Sequence, residues 1–150
     1  MAERLATIDP QHAADYEAGL ADLLQRWTTA MNDWQAQARP LRGMQVVVHH
    51  NSWPYLAGWL ELKVVGTLEP KPGVPPSSTQ LSQLLQQLQK HDASAIIHSS
   101  YQNARASEWL SQRTDLPVVE LPATVGGNTR AQNLFSLFSD ILERLLEVVP

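Results

Sequence analysis

The sequence predicts an α/β fold: a long N-terminal helix followed by a four-stranded parallel sheet with helices on both faces. Three observations predict it. Short aliphatic or β-branched runs alternate with segments of helical period from Gly43 onward, the pattern of βαβ units with right-handed crossovers. The first of those runs is three consecutive valines, which suits a strand buried on both faces. Residues 10–40 instead carry one continuous helical stripe bounded by prolines.

Asp9-Pro10 marks the start of the long helix, because an Asp carboxylate accepts from free N–H groups and Pro at the first helical position forfeits no hydrogen bond. Tyr16, Leu20, Leu23, Leu24, Trp27, Met31 and Trp34 recur at steps of three and four, one stripe of a helix reaching about Ala38 and stopped by Pro40. Such a length exceeds the usual range, so the helix extends beyond one core or spans two. Its aromatic stripe reads as core packing rather than as a binding surface. Val46-Val47-Val48 form the first strand, behind a turn at Gly43, and the chain breaks at His49-His50 into a short helix over residues 53–62 with Pro54 in its first turn.

A second strand fits residues 63–68. The proline-rich stretch from Glu69 to Ser78 forbids both helix and central strand and reads as an extended loop. An inter-domain linker is the rival, disfavoured because strands and helices alternate on both sides. Ser77 or Ser78 caps a helix with Leu81, Leu84, Leu85 and Leu88 on its apolar side. Residues 93–98 form the third strand, residues 104–114 a helix with Ala106, Trp109 and Leu110 inward, and residues 117–121 the fourth strand. A last helix presents a broad face that includes Leu134, Leu137, Ile141, Leu142 and Leu145.

Composition narrows the function. The chain has 150 residues, 43% of them hydrophobic and 17% charged, values of a globular domain. No apolar run approaches the roughly 20 residues of a membrane span. The net charge of −4 and the scattered Lys and Arg give no footprint for nucleic acid. With no cysteine, thiolate chemistry and cysteine-based zinc sites are excluded. No Gly-rich phosphate loop, no nucleophile elbow and no convincing carboxylate pair is present, although Glu69 and Glu120 stand near strand ends; the chain reads as a non-enzyme. Residues 1–7 lack the basic and apolar regions of a secretory signal, so with Met1 as the natural start a cytoplasmic location follows.

Metal binding is the stronger chemistry. His49, His50 and His98 are all predicted at the carboxyl edge of the sheet, where α/β folds bind ligands, and imidazole is a common ligand for zinc and related metals. Neighbouring side chains on a strand point to opposite faces, so at most one of His49 and His50 faces a given site unless the chain turns there. Surface or hydrogen-bonded histidines remain the alternative.

The run from His50 to Tyr55, the stretch from Glu69 to Ser77, residues 101–110 and the segment Pro117-Val118-Val119-Glu120-Leu121-Pro122 resemble the C-terminal lobe of TroA-like zinc/manganese solute-binding proteins of ABC importers. The resemblance covers nearly the whole chain. It implies two α/β lobes joined by one rigid helix with the metal between them: residues 1–40 as that helix, residues 41–150 as the C-terminal lobe, and the N-terminal lobe absent. His50, with Asn51, Ser52 and Trp53 after it, matches a His-Asp-Ala-Phe-like motif and inherits the ligand role; His49 and His98 are secondary candidates. The family commonly carries Glu-Pro after the third strand, where this chain has Ser99-Ser100, and an Asp ligand after the fourth, where it has Pro122. The resemblance therefore implies an incomplete zinc or manganese site, weak in this chain alone, a membrane permease as partner and a periplasmic location. The alternative is an interaction module of the same fold that dimerises through the long helix.

Overall fold

The strand order β2-β1-β3-β4 and the uniformly parallel pairing define the sheet, with β1 at Gln45–Val48, β2 at Lys63–Thr67, β3 at Ala93–Ser99 and β4 at Val118–Leu121. The structure, a computed structural model, describes residues 1–69, 71 and 73–149. Two compact units divide between Ala36 and Gln37.

In the larger unit every strand is followed by a helix: α3 at Pro54–Leu60, α4 at Ser78–Leu88, α5 at Arg105–Thr114 and α6 at Leu134–Leu146, counting from the two helices of the smaller unit. Right-handed crossovers then place α4 and α5 on one face, since both connections run in the same direction along the sheet. On that face Val47, Leu68, Leu84, Leu88, Ile96 and Leu110 form a buried cluster, with Trp109 and Leu116 packed against it. On the alternate residues Val46, Val48, Ala95 and Ile97 are buried too, as a sheet covered on both faces requires. The edge of Trp59 on α3 meets Phe138 on α6, with ring centroids 5.9 Å apart.

Local sequence accounts for the helix ends. Ser77 caps α4 by a reciprocal box with Gln80, and Asn133 caps α6 in the same way with Ser136. Glu61 and Asp115 end α3 and α5 in the left-handed conformation, each with φ of 56°. The expected extended loop holds: residues 74–77 form neither helix nor strand, while Pro70 and Pro72 lie outside the described residues.

The smaller unit departs from expectation. A first helix, α1 at Ala2–Ile8, has no counterpart in the sequence reading; its seven residues are too few to show a period, but Ala, Glu, Arg and Leu are strong helix formers. The long helix α2 runs from Ala13 to Gln37, its start delayed by a 3₁₀ turn at Pro10–His12. Asp9 makes no side-chain cap, because its carboxylate is taken by the Tyr16 hydroxyl at 2.9 Å and His12 Nδ1 at 2.8 Å. The stripe expected in the core is only partly buried: Trp34 is enclosed and packs edge-on to Trp27, whereas Leu20, Leu23 and Leu24 are 42–55% exposed. Helical period located the apolar side correctly but carries no information on what covers it.

Two positions, Gly66 and Asp140, lock the sheet to its helices. Opposite a register shift in β1, Gly66 lies so close to α4 that a Cβ there would stand 2.5 Å from Leu84 Cδ1. Asp140 of α6, 2% exposed, accepts from Asn128 Nδ2 at 2.6 Å and Arg144 Nε at 2.9 Å and faces Arg130 Nε at 3.1 Å. Arg144 also donates to the carbonyl of Glu120, tying α6 to β4. Burial alone raises the Asp140 pKa, but the hydrogen bonds from Asn128 and Arg144 and the two guanidinium charges outweigh it and hold the carboxyl below its ordinary value.

Two outcomes follow for denaturant unfolding. Gly66→Val destabilises by about 1–3 kcal/mol, and Leu84→Ala costs less in that background than in the natural chain because it removes the clash. Asp140→Asn costs about 1–3 kcal/mol at neutral pH. Since the native carboxyl titrates below its unfolded counterpart, that difference is fully present above about pH 4 and disappears as pH falls through the native pKa; a gap unchanged at pH 3 would contradict the ionic role of Asp140.

Candidate functional site

Connections leave β1 toward β2 and leave β3 toward β4, so the loops behind these two adjacent strands diverge and open a crevice at their carboxyl ends. A cleft of about 400 Å³ lies there, lined by His49 and His50 behind β1, Glu69 behind β2, and Tyr101, Gln102 and Asn103 behind β3. The loop after Glu69 adds Gly73 and Pro75 to its wall.

The ladder continues one residue past β1 and positions the histidines. His49 N donates to Ile97 O at 2.7 Å, Leu68 N to Val48 O at 3.0 Å and Glu69 N to His49 O at 2.7 Å. Residues 49 and 69 therefore stand side by side. The chain then turns, Ser52 N donating to His50 O at 2.7 Å, and enters α3 at Pro54.

The two histidines take different roles. His49 is buried at 2% exposure, with Nδ1 3.2 Å from Ser107 Oγ on α5 and Nε2 3.3 Å from Glu69 Oε1. These partners fit one tautomer, in which the serine hydroxyl donates to Nδ1 and Nε2–H faces the carboxylate. Both ring nitrogens are thereby engaged. His50 is half-buried and its Nδ1–H donates to the backbone carbonyl of Glu69 at 2.8 Å. That bond fixes the tautomer with Nε2 as the acceptor, the form in which imidazole binds a metal.

His98 is placed apart. Its Nδ1 is 3.1 Å from Ser99 O, its Nε2 is 4.0 Å from Glu120 Oε2, and it does not line the cleft. Ser99 Oγ is buried with no hydrogen-bond partner among the described residues. On the cleft's β3 side, Gln102 Oε1 accepts from Ser99 N at 2.7 Å and Asn103 Oδ1 from Arg105 N at 3.0 Å, so both side-chain carbonyls shape the loop. Among the described residues Glu69, 16% exposed, is the only carboxylate on the wall.

Among the described residues no three His, Cys, Asp or Glu side chains converge as a metal-binding group. The sequence reading named Glu69 only as a stray carboxylate and missed Ser107, which lies 58 residues from His49; no local signal links the two. A larger cleft of about 620 Å³ at the amino end of the sheet, bordered by Leu88, Leu116 and Arg113, lies far along the strands from this chemistry. No helix among the described residues is long and apolar enough to cross a membrane.

Known proteins share this architecture. A solved structure of ZnuA is 23% identical, with a TM-score of 0.80 over 99% of this chain and 53% of that one. The solute-binding protein FpvC of Pseudomonas aeruginosa, solved with Mn2+, is 21% identical with a TM-score of 0.77, covering 99% of this chain and 56% of its own. These likenesses show the TroA-like fold. The high-affinity zinc uptake protein ZnuA of Brucella abortus (strain 2308) is 21% identical over 97 residues, 65% of this chain and 29% of the relative. The chain thus spans about half the length of the solved relatives and matches under a third of the curated one. The family model described as zinc-uptake complex component A, periplasmic, matches residues 1–148, and the chain belongs to that family.

Proposed function

We propose that this chain is the C-terminal lobe of a zinc or manganese solute-binding component of an ABC importer, acting at the periplasmic face of a membrane permease. The observation that carries the reading is His50: its ring is held by a backbone carbonyl at 2.8 Å, with Nε2 left as acceptor in a cleft at the point where the strand order reverses. Family membership over residues 1–148 and the metals named for the relatives, zinc uptake for ZnuA and bound Mn2+ or Ni2+ for FpvC, support it. The transported ion is cargo, and the chain does no covalent chemistry on it.

The lobe alone binds its ion weakly. A closed zinc site takes about four protein ligands, and this cleft supplies fewer than three such groups among the described residues. His49 is consumed by Ser107 and Glu69, and His98 faces elsewhere.

A second reading, self-association, is favoured by one observation: Leu20, Leu23 and Leu24 leave an apolar stripe of α2 open to solvent.

Competition titration of the purified chain with zinc tests the first reading. One ion binds with a Kd above roughly 1 μM, far weaker than a complete four-ligand site, and His50→Ala weakens it at least about tenfold without lowering the melting temperature. Submicromolar one-to-one binding that His50→Ala abolishes would show that the lobe suffices alone; binding indifferent to His50 would remove the reading. For the second, light scattering across concentration detects a dimer that Leu20→Glu with Leu24→Glu dissociates, and a strict monomer at high concentration counts against it.

A further inference from the structure

Glu69 has a place in the cleft that its pairing with His49 does not exhaust. Its backbone is fixed on both sides, N–H donating to His49 O at 2.7 Å and C=O accepting from His50 Nδ1 at 2.8 Å. One residue therefore holds both histidines by its main chain. Its side chain is 16% exposed on the cleft wall, and among the described residues the partner of its carboxylate is His49 Nε2, 3.3 Å from Oε1. The other oxygen retains its acceptor capacity. Among the described residues no cation is paired with it, and Tyr101, Gln102 and Asn103 with Gly73 and Pro75 also line the wall.

A half-buried carboxylate with no fixed positive partner pays for its desolvation unless a cation completes it. His50, whose Nδ1 is held by the Glu69 carbonyl and whose acceptor nitrogen is Nε2, lines the same cleft. Imidazole nitrogen and carboxylate oxygen together are a donor set that zinc and manganese both accept. The carboxylate also supplies the negative charge that a dication needs and a neutral histidine lacks. Because the backbone of residue 69 positions its own carboxylate and the His50 ring together, binding to the pair orders little that is not already ordered.

Resting on the reading of His50 as a metal donor, we infer that Glu69 is the second metal-binding side chain of this lobe, its carboxylate acting with His50 Nε2 on the same divalent ion. His49 is then a positioning residue, which orients the carboxylate through Nε2–H and is itself oriented by Ser107.

Carbon-13 NMR of the uniformly labelled full chain, titrated with zinc chloride to millimolar concentration, tests this. The Glu69 carboxyl carbon and the His50 ring carbons shift along one saturation curve. Glu69→Gln, which keeps an acceptor oxygen for His49 but loses the charge, lowers zinc affinity by about 10–100-fold while the His50 ring still shifts at saturation. A Glu69 carboxyl that does not move while His50 does, or a Glu69→Gln affinity within about twofold of the natural chain, overturns the role of Glu69 and leaves His50 standing. Zinc that shifts neither residue overturns both. Should Glu69→Gln fail to fold, the carboxyl signal of the unaltered chain decides alone.

Discussion

Three backbone hydrogen bonds at the carboxyl end of β1 determine the cleft. His49 N to Ile97 O, Leu68 N to Val48 O and Glu69 N to His49 O hold the last residues of the strand between both neighbours. Each bond is modest in net free energy, but a slip would orphan buried donors and acceptors, which costs more than the bonds themselves contribute. A slip of one residue would also exchange the faces of every side chain on the strand, turning His50 inward and His49 out. Because the connections from β1 and β3 run in opposite directions, the loops behind these two strands diverge and leave a space between them. The crevice is thus a property of topology, and the side chains that line it are a property of register.

Register also divides the labour between the two histidines. His49 continues the strand and points into the interior, where a buried imidazole must satisfy both nitrogens; Ser107 and Glu69 do so. His50 lies past the turn and needs only one bond, which comes from the main chain of Glu69. A carbonyl partner is insensitive to substitution at its own side chain. The tautomer of His50 therefore survives a change at position 69 that keeps the backbone in place, which separates the geometric contribution of that residue from its electrostatic one.

Much of this fold was legible because strands and helices announce themselves locally. Val46-Val47-Val48, the leucine stripe of α4 and the Ser77 cap lie at or within a residue of their expected positions, since period and capping act over a few residues. The site was legible only as a neighbourhood: strand ends collect at one edge of a parallel sheet, so His49, His50 and His98 were all assigned to it. Which of them face the cleft depends on the turn after His49 and on residues far away in sequence, Glu69 and Ser107, and no pattern in the chain encodes those pairings. The exposed part of α2 was misread for a related reason. A 3.6-residue period shows that a helix has an apolar side, whereas burial depends on what lies opposite it.

A cleft that offers few donors suits transient binding of an ion. Affinity for a dication rises steeply with each preorganised ligand, and a complete set of four on one rigid wall would hold zinc against release. Ligands divided between separate walls behave otherwise: closure assembles the set and opening halves it, so a change in geometry becomes a change in affinity. The wall described here fits one side of such an arrangement. Its imidazole is fixed by the backbone and its carboxylate lies against a buried histidine, so in the proposed role neither would have to be reorganised as an ion arrives or leaves. Rigidity of the donors and incompleteness of the set are then complementary: the first limits the ordering cost of capture, and the second keeps release possible.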